Sequence, residues 1–171
     1  MDFNFQPTID ISKAFNSTVM VLNDRENAEN GITFVKAGAD GPPIHKHPTQ
    51  EEYFKVIQGN LEVYSVDRWV KLSAGEEIHI PKETPHTFRS RDAEDCYFEY
   101  VVTPKGDFTG MLRTFEKLMA ADKIRSNSDP RSLIYLAMTF KQHEDELVSV
   151  NPPQFVMSAM AGVGKALGCK I

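Results

Sequence analysis

Cysteine is nearly absent from this 171-residue chain: Cys96 and Cys169 stand far apart, with no CxxC. That excludes a disulfide framework and a thiolate zinc ribbon, and it makes a reducing compartment the expectation. Clusters of lysine and arginine are missing too. The chain has 19 basic against 24 acidic side chains, a formal net charge of −5 and a pI of about 5.5. This is not the basic footprint of a nucleic-acid binder. Long apolar runs are also lacking. The opening MDFNFQPTID has no signal-peptide core. The most apolar stretch, residues 152–168, contains Lys165 and falls short of the roughly 20 residues that a membrane span needs. There is no Gly-x-Ser-x-Gly elbow and no phosphate-cradling glycine loop. These absences predict a cytoplasmic protein with neither nucleic acid nor membrane as partner. What is present, 41% hydrophobic and 10% aromatic residues, suits one domain with its own core.

Two periodicities divide the chain. Up to about residue 104, apolar residues alternate: Phe3/Phe5, Ile9/Ile11, Ile32/Phe34, Phe54/Val56, Leu61/Val63, Ile78/Ile80 and Phe98/Tyr100/Val102. Period 2 marks half-buried strands. Turn residues interrupt these runs at short intervals, as in Gln58-Gly59-Asn60 and Ala74-Gly75. Many short strands predict a sandwich or barrel over residues 1–104. From Gly106 the spacing changes. Phe108, Met111, Leu112, Phe115, Leu118 and Met119 follow a helical stripe. Asp129-Pro130 opens a second helix, expected to reach about Leu147, and Asn151-Pro152 opens a third that stops at Gly168. The third is apolar nearly all round, which predicts burial against the barrel or a second copy. Residues 105–171 are thus expected to be a helical extension of about three helices.

Four of the five histidines fall between residues 45 and 86. In a strand, His45 and His47 share a face about 6.6 Å apart, close enough to reach one ion. If Phe54 and Val56 face the core, parity puts Glu52 on the same inward side. Parity likewise pairs His86 with Phe88. A buried carboxylate needs a partner, because an unpaired buried charge is very costly. Three imidazoles and a carboxylate inside an apolar barrel suit a first-row metal ion. The alternative is two separate hydrogen-bonded histidine clusters with Glu52 on the surface. His79 falls outward by parity, and His143 falls on a charged helix face beside Glu144 and Glu146. Cys96 reads as a packed or rim thiol.

At these residues the chain resembles the cupin superfamily. The first motif reads GADGPPIHKHPTQEEYFKVIQG from Gly38 to Gly59, and the second GEEIHIPKETPH from Gly75 to His86. Glu83 stands where the second motif usually has glycine, a residue that tolerates positive φ. Ser90 stands where the older motif has asparagine. The resemblance implies a mainly β fold, a cupin-type antiparallel β-barrel or jelly roll. It implies His45, His47, Glu52 and His86 as ligands of one divalent transition-metal ion: iron, manganese, nickel, copper, cobalt or zinc.

Such a ligand set leaves positions open for water or substrate, the arrangement of a catalytic ion rather than a structural one. Parity assigns Phe34, Phe54, Val56, Phe88 and Phe98 to the pocket and turns Lys46, Lys55 and Arg89 outward. An inward cation for a sugar phosphate is therefore not expected. A small apolar or enolisable molecule that chelates the ion through oxygen fits better. The expected activity is that of a dioxygenase-like oxidoreductase resembling the quercetinase type, with Glu52 as ligand and catalytic proton acceptor. A metal-dependent isomerase or lyase of a small carbonyl compound and a non-enzymatic ligand-binding module are the alternatives. A homodimer is also expected, since barrel edges need covering.

Overall fold

The computed structural model describes residues 4–171. In chain order its elements are β1 (Ile9–Asp10), α1 (Ser12–Phe15), β2 (Ser17–Val21), β3 (Glu29–Val35), β4 (Ile44–Lys46), β5 (Glu51–Gln58) and β6 (Asn60–Ser65). They continue with β7 (Arg68–Ser73), β8 (Glu77–Ile80), β9 (His86–Arg89), β10 (Cys96–Thr103), α2 (Phe108–Ala120), α3 (Pro130–Gln142), β11 (Val148–Asn151) and α4 (Gln154–Ala166). Two antiparallel sheets face each other, one ordered β1-β2-β3-β10-β5-β8 and the other β11-β4-β9-β6-β7.

The alternation in the sequence is the alternation of the sheets. β5 buries Glu52, Phe54 and Val56 and exposes Tyr53 and Lys55, while β10 buries Cys96, Phe98, Tyr100 and Val102. Their inward rings meet edge to face: Phe54 and Phe98 lie 4.9 Å apart between centroids, and Phe88 and Phe98 lie 5.1 Å apart. Burying each such ring contributes about 1.5–3 kcal/mol. Between β5 and β6, Gly59 has φ 78°, and a Cβ there would lie 2.4 Å from the Asp95 carbonyl oxygen. Both the turn and the close approach therefore require glycine.

α2 carries its expected face inward, whereas α4, expected to be buried nearly all round, buries Met157, Ala161 and Gly164 and leaves Phe155 and Val163 exposed. α2 buries Phe108, Met111, Leu112, Phe115, Leu118 and Met119. α3 begins at Pro130, capped by the Asp129 carboxylate, which accepts from the Ser132 N–H at 2.8 Å. Four local expectations are corrected. Phe3 lies outside the described residues, and Phe5 sits in an irregular segment packed on Phe34 and Tyr97 rather than in a strand. Ile11 follows the two-residue β1 and leads into the short helix α1. α3 stops at Gln142, five residues before Leu147. Asn151 ends β11 instead of capping α4, which starts at Gln154 after Pro153. β11 itself has no counterpart in the periodicity. It pairs with β4, setting Ser149 opposite His45, so the tail adds a strand to the barrel.

No helix among the described residues is long and apolar enough to cross a membrane.

Candidate metal centre

The first histidine pair comes from β4 and its exit. His45 is central in β4 and pairs directly with His86, the first residue of β9. His47 follows β4 by one residue. Glu52 lies on the opposite sheet, where β5 sets it between Val102 and Ile80. The four side chains bridge the two sheets, all buried, and their candidate ligating atoms lie within 4.8 Å of one another.

Each imidazole is oriented by a backbone carbonyl. Nδ1 of His45 lies 2.8 Å from the Pro43 oxygen, Nδ1 of His47 2.5 Å from the Glu146 oxygen, and Nδ1 of His86 2.9 Å from the Thr84 oxygen. A carbonyl only accepts, so each Nδ1 carries the proton and donates it. All three Nε2 lone pairs are then left for the centre, together with the Glu52 carboxylate. Carbonyl-fixed imidazoles of this kind typify metal ligands. In a neutral set these four groups have no donor among them, so only a proton or a cation can satisfy the cluster.

Its electrostatics show the same need. His86 Nε2 is 2.9 Å from Glu52 Oε2. His47 Nε2 is 3.5 Å from that oxygen and has no hydrogen-bond partner. Burial opposes charge on Glu52, yet the His47 and His86 imidazoles outweigh it and hold the carboxyl well below the usual carboxylate range. Burial also opposes charge on His47, and the adjoining Glu52 carboxylate overrides it, raising that imidazole. His45 is pushed well below its ordinary value, by burial first and then by repulsion from His86 and His47. A buried group with an unpartnered nitrogen, a retained carboxylate and a mixed N/O donor set fits a divalent transition-metal ion.

A cavity of about 70 Å³ adjoins the cluster at His45 and Glu52. Phe54, Phe88 and Phe98 line it, as their parity requires. Val56 is corrected: it is buried in the core and does not reach the cavity. Phe34 is corrected as well. Thr33 and Val35 take the inward positions of β3, and Phe34 packs on the outer side against Tyr97 and Phe5. In that strand Asn30, Gly31 and Thr33 interrupt the apolar pattern, so hydrophobic parity chooses the wrong face. No lysine or arginine lines the cavity among the described residues. A roomier groove on the outer face of the six-stranded sheet has its charges paired, Arg25 with Glu99 and Lys55 with Glu77. It contains none of the four converging side chains.

Sequence reasoning missed the tail's part in this cavity. Phe108, Met111, Leu112 and Phe115 of α2, Phe140 of α3 and Leu147 all line it. Glu29 sets α2 in place: its buried carboxylate accepts from the Phe108 and Thr109 N–H groups at 2.9 and 2.8 Å, at the positive end of the helix. In ENGITFV the glutamate is one of several polar residues, so nothing in the sequence singles it out. Tyr100 also lines the cavity. It is buried, and its hydroxyl has no hydrogen-bond partner among the described residues. Leaving a buried hydroxyl unpaired costs about 1–3 kcal/mol.

The remaining candidates sit elsewhere. His79 faces outward, stacked on Tyr53 and paired with Glu51 at 2.5 Å. His143 is corrected from a solvated position: its side chain is only 10% exposed, at the end of α3 near Asp107 and Thr114. Cys96 is packed in the core, and burial pushes its thiol up to about 12.

Residues 31–103 match the family model described as a cupin domain. The chain is 37% identical over 81 residues to an oxidoreductase, iacF, of Pestalotiopsis fici, a match over 46% of this chain and 40% of that protein. It is 36% identical over 75 residues to a probable oxidoreductase, virH, of Hypocrea virens, over 42% of this chain and 34% of that protein. The chain thus spans less than half the length of either relative. Its fold is similar to that of KdgF from a Halomonas species, with a TM-score of 0.51 and 20% identity, over 55% of this chain and 84% of that one.

Proposed function

The chain belongs to the cupin superfamily, and from that premise we propose that it is a metal-dependent, dioxygenase-like oxidoreductase acting on a small, largely apolar or enolisable molecule. The observation that carries this reading is the carbonyl-held Nδ1 of each of three histidines, which directs His45, His47 and His86 with Glu52 toward one point. A bound ion would supply Lewis acidity and open positions for oxygen ligands. Phe54, Phe88, Phe98 and the α2 side chains exclude water and accept apolar groups. Glu52 would complete the ligand set, its carboxylate kept ionised by the His47 and His86 imidazoles. The two relatives named as oxidoreductases support the reaction class.

Size narrows the substrate. About 70 Å³ is less than half of the roughly 150 Å³ apolar cavity that admits benzene. A cavity of this size suits a molecule of a few heavy atoms. A fused aromatic system of the quercetin kind is larger than this space. The absence of a lining cation among the described residues disfavours a phosphorylated sugar.

Metal analysis of protein purified without chelators, followed by oxygen uptake with small enolisable carbonyl compounds, tests the proposal. Metal with substrate-dependent uptake supports it. Turnover without uptake would favour the isomerase or lyase reading, and binding without turnover a ligand-binding module. We further propose a cytoplasmic homodimer. Its support is the pair of free thiols and the exposed Phe155, Val163 and Leu167 of α4 and its end. A light-scattering mass of one chain would remove the dimer.

A further inference from the structure

We propose that the Tyr100 hydroxyl is the second polar anchor of the cavity, donating a hydrogen bond to a carbonyl or enolate oxygen of a small apolar ligand held at the metal centre. This rests on the metal-centre reading above and adds the residue that would orient the ligand.

Tyr100 faces inward on β10, opposite Phe54 of β5, which makes it a same-face diagonal neighbour of Glu52. On its other side it pairs with Gly31 of β3. A Cβ at position 31 would lie 2.8 Å from the Tyr100 hydroxyl and 2.5 Å from the Met20 carbonyl oxygen. Glycine weakens a strand interior and marks a close approach, and here it makes room for the phenol. The ring is 2% exposed and lines the same cavity as His45 and Glu52. The hydroxyl meets no protein acceptor or donor among the described residues.

Packing alone does not explain that hydroxyl. Phenylalanine is used at the neighbouring inward position, Phe98, and would fill this space without an unsatisfied polar atom. A buried polar group with no protein partner, in the wall of a cavity, is what a ligand partner would leave behind in the free protein. Of the other polar side chains lining the cavity, Ser17 donates to the Phe15 carbonyl, His45 and Glu52 belong to the cluster, and Thr33 adds a small hydroxyl. Burial, and then the charges of Glu29 and Glu52, keep the phenol protonated far above its ordinary range. It is therefore a donor at neutral pH, suited to an oxygen that gains negative charge. A ligand with one oxygen function on the ion, one at Tyr100 and an apolar remainder matches the metal cluster, the phenol and the phenylalanine rings of the wall.

The test compares wild type with Tyr100→Phe, both loaded with Co(II), using acetohydroxamate as a small oxygen-chelating probe followed through the cobalt absorption. Co(II) affinity should be unchanged, while probe affinity falls roughly tenfold or more in the variant. Its melting temperature should equal or exceed that of wild type, because an unpaired buried hydroxyl has been removed. Equal probe affinity in both proteins would overturn the proposal. A marked loss of stability, or failure to fold, would overturn it too, by assigning the hydroxyl a structural partner. If wild type takes up no Co(II), the metal reading fails before any probe is added, and this inference fails with it.

Discussion

His47 donates its Nδ1–H to the backbone carbonyl of Glu146, 2.5 Å away and 99 residues on in sequence. The segment after α3 thereby fixes an imidazole of the first motif. β11 follows at once, with Val148 opposite Lys46 and Ser149 opposite His45. Leu147, between the carbonyl and the strand, is buried in the cavity wall. The tail is therefore part of the candidate metal centre as well as its cover.

This makes Leu147→Ala informative. Truncating a buried leucine should lower stability by about 2–5 kcal/mol. It should also loosen the Glu146 backbone and weaken metal affinity by about 10–100-fold, as loss of an outer partner of a ligating histidine does. Competition with a chromogenic chelator measures the affinity and thermal melting the stability. Lower stability with unchanged affinity would refute the positioning role of the Glu146 carbonyl.

Glu52→Gln separates function from folding. The shape is kept, while the carboxylate that outweighs burial beside His47 and His86 is lost. Metal retention should fall at least tenfold, and the melting temperature of the chelated protein should move by less than about 5 °C, because the apolar core is independent of the ion. Melting of wild type and variant, each with and without chelator, reads this directly. A drop of about 20 °C or more on chelating wild type, with a variant that does not fold, would make the ion a structural staple.

Glu29→Ala should release α2. Two N–H groups at the start of the helix lose their acceptor, one of them buried, at a cost of about 1–3 kcal/mol. Hydrogen exchange should rise over residues 108–112 more than in β5 or β10. Uniform exchange across the molecule would show that α2 is held by its apolar face alone.

How much of this was legible in the sequence depends on what kind of signal each feature leaves. Strands such as β5 and β10 are half-buried, so alternation marks both their existence and their face. The candidate cluster is legible because His45, His47, Glu52 and His86 each sit on, or one residue beyond, a strand. β3 is where parity fails, since Asn30, Gly31 and Thr33 face places that hydrophobicity cannot read, and Phe34 takes the outer side. β11 turns Ser149 inward and leaves its two valines half-buried, so hydrophobicity does not mark its inner face. The Glu146 and Thr84 carbonyls that orient the imidazoles are backbone atoms, which residue identity does not reveal. Glu83 adopts φ 63°, so the turn that glycine usually makes is kept despite the side chain, which pairs with Lys46.

Cys96 gives an alkaline signature of the folded barrel. Burial foremost, then the Asp92 charge, raises its thiol from an ordinary 9.0 to about 12. The folded value lies above the unfolded one, so the stability tied to the protonated thiol is fully present below pH 9. It is lost as the pH rises from there toward 12, because only the unfolded chain releases the proton. The loss should approach about 1.4 kcal/mol per pH unit in that window. Lysines and tyrosines titrate in the same range, so the comparison is with Cys96→Ala, which keeps every other group. The variant should be less stable than wild type at pH 8, by about 1 kcal/mol for the lost packing. The gap should then narrow as the pH rises through 10. Urea melts at pH 8, 9 and 10 measure it. Parallel decline of the two proteins would mean that the thiol ionises within the fold, and that β10 does not hold Cys96 away from water.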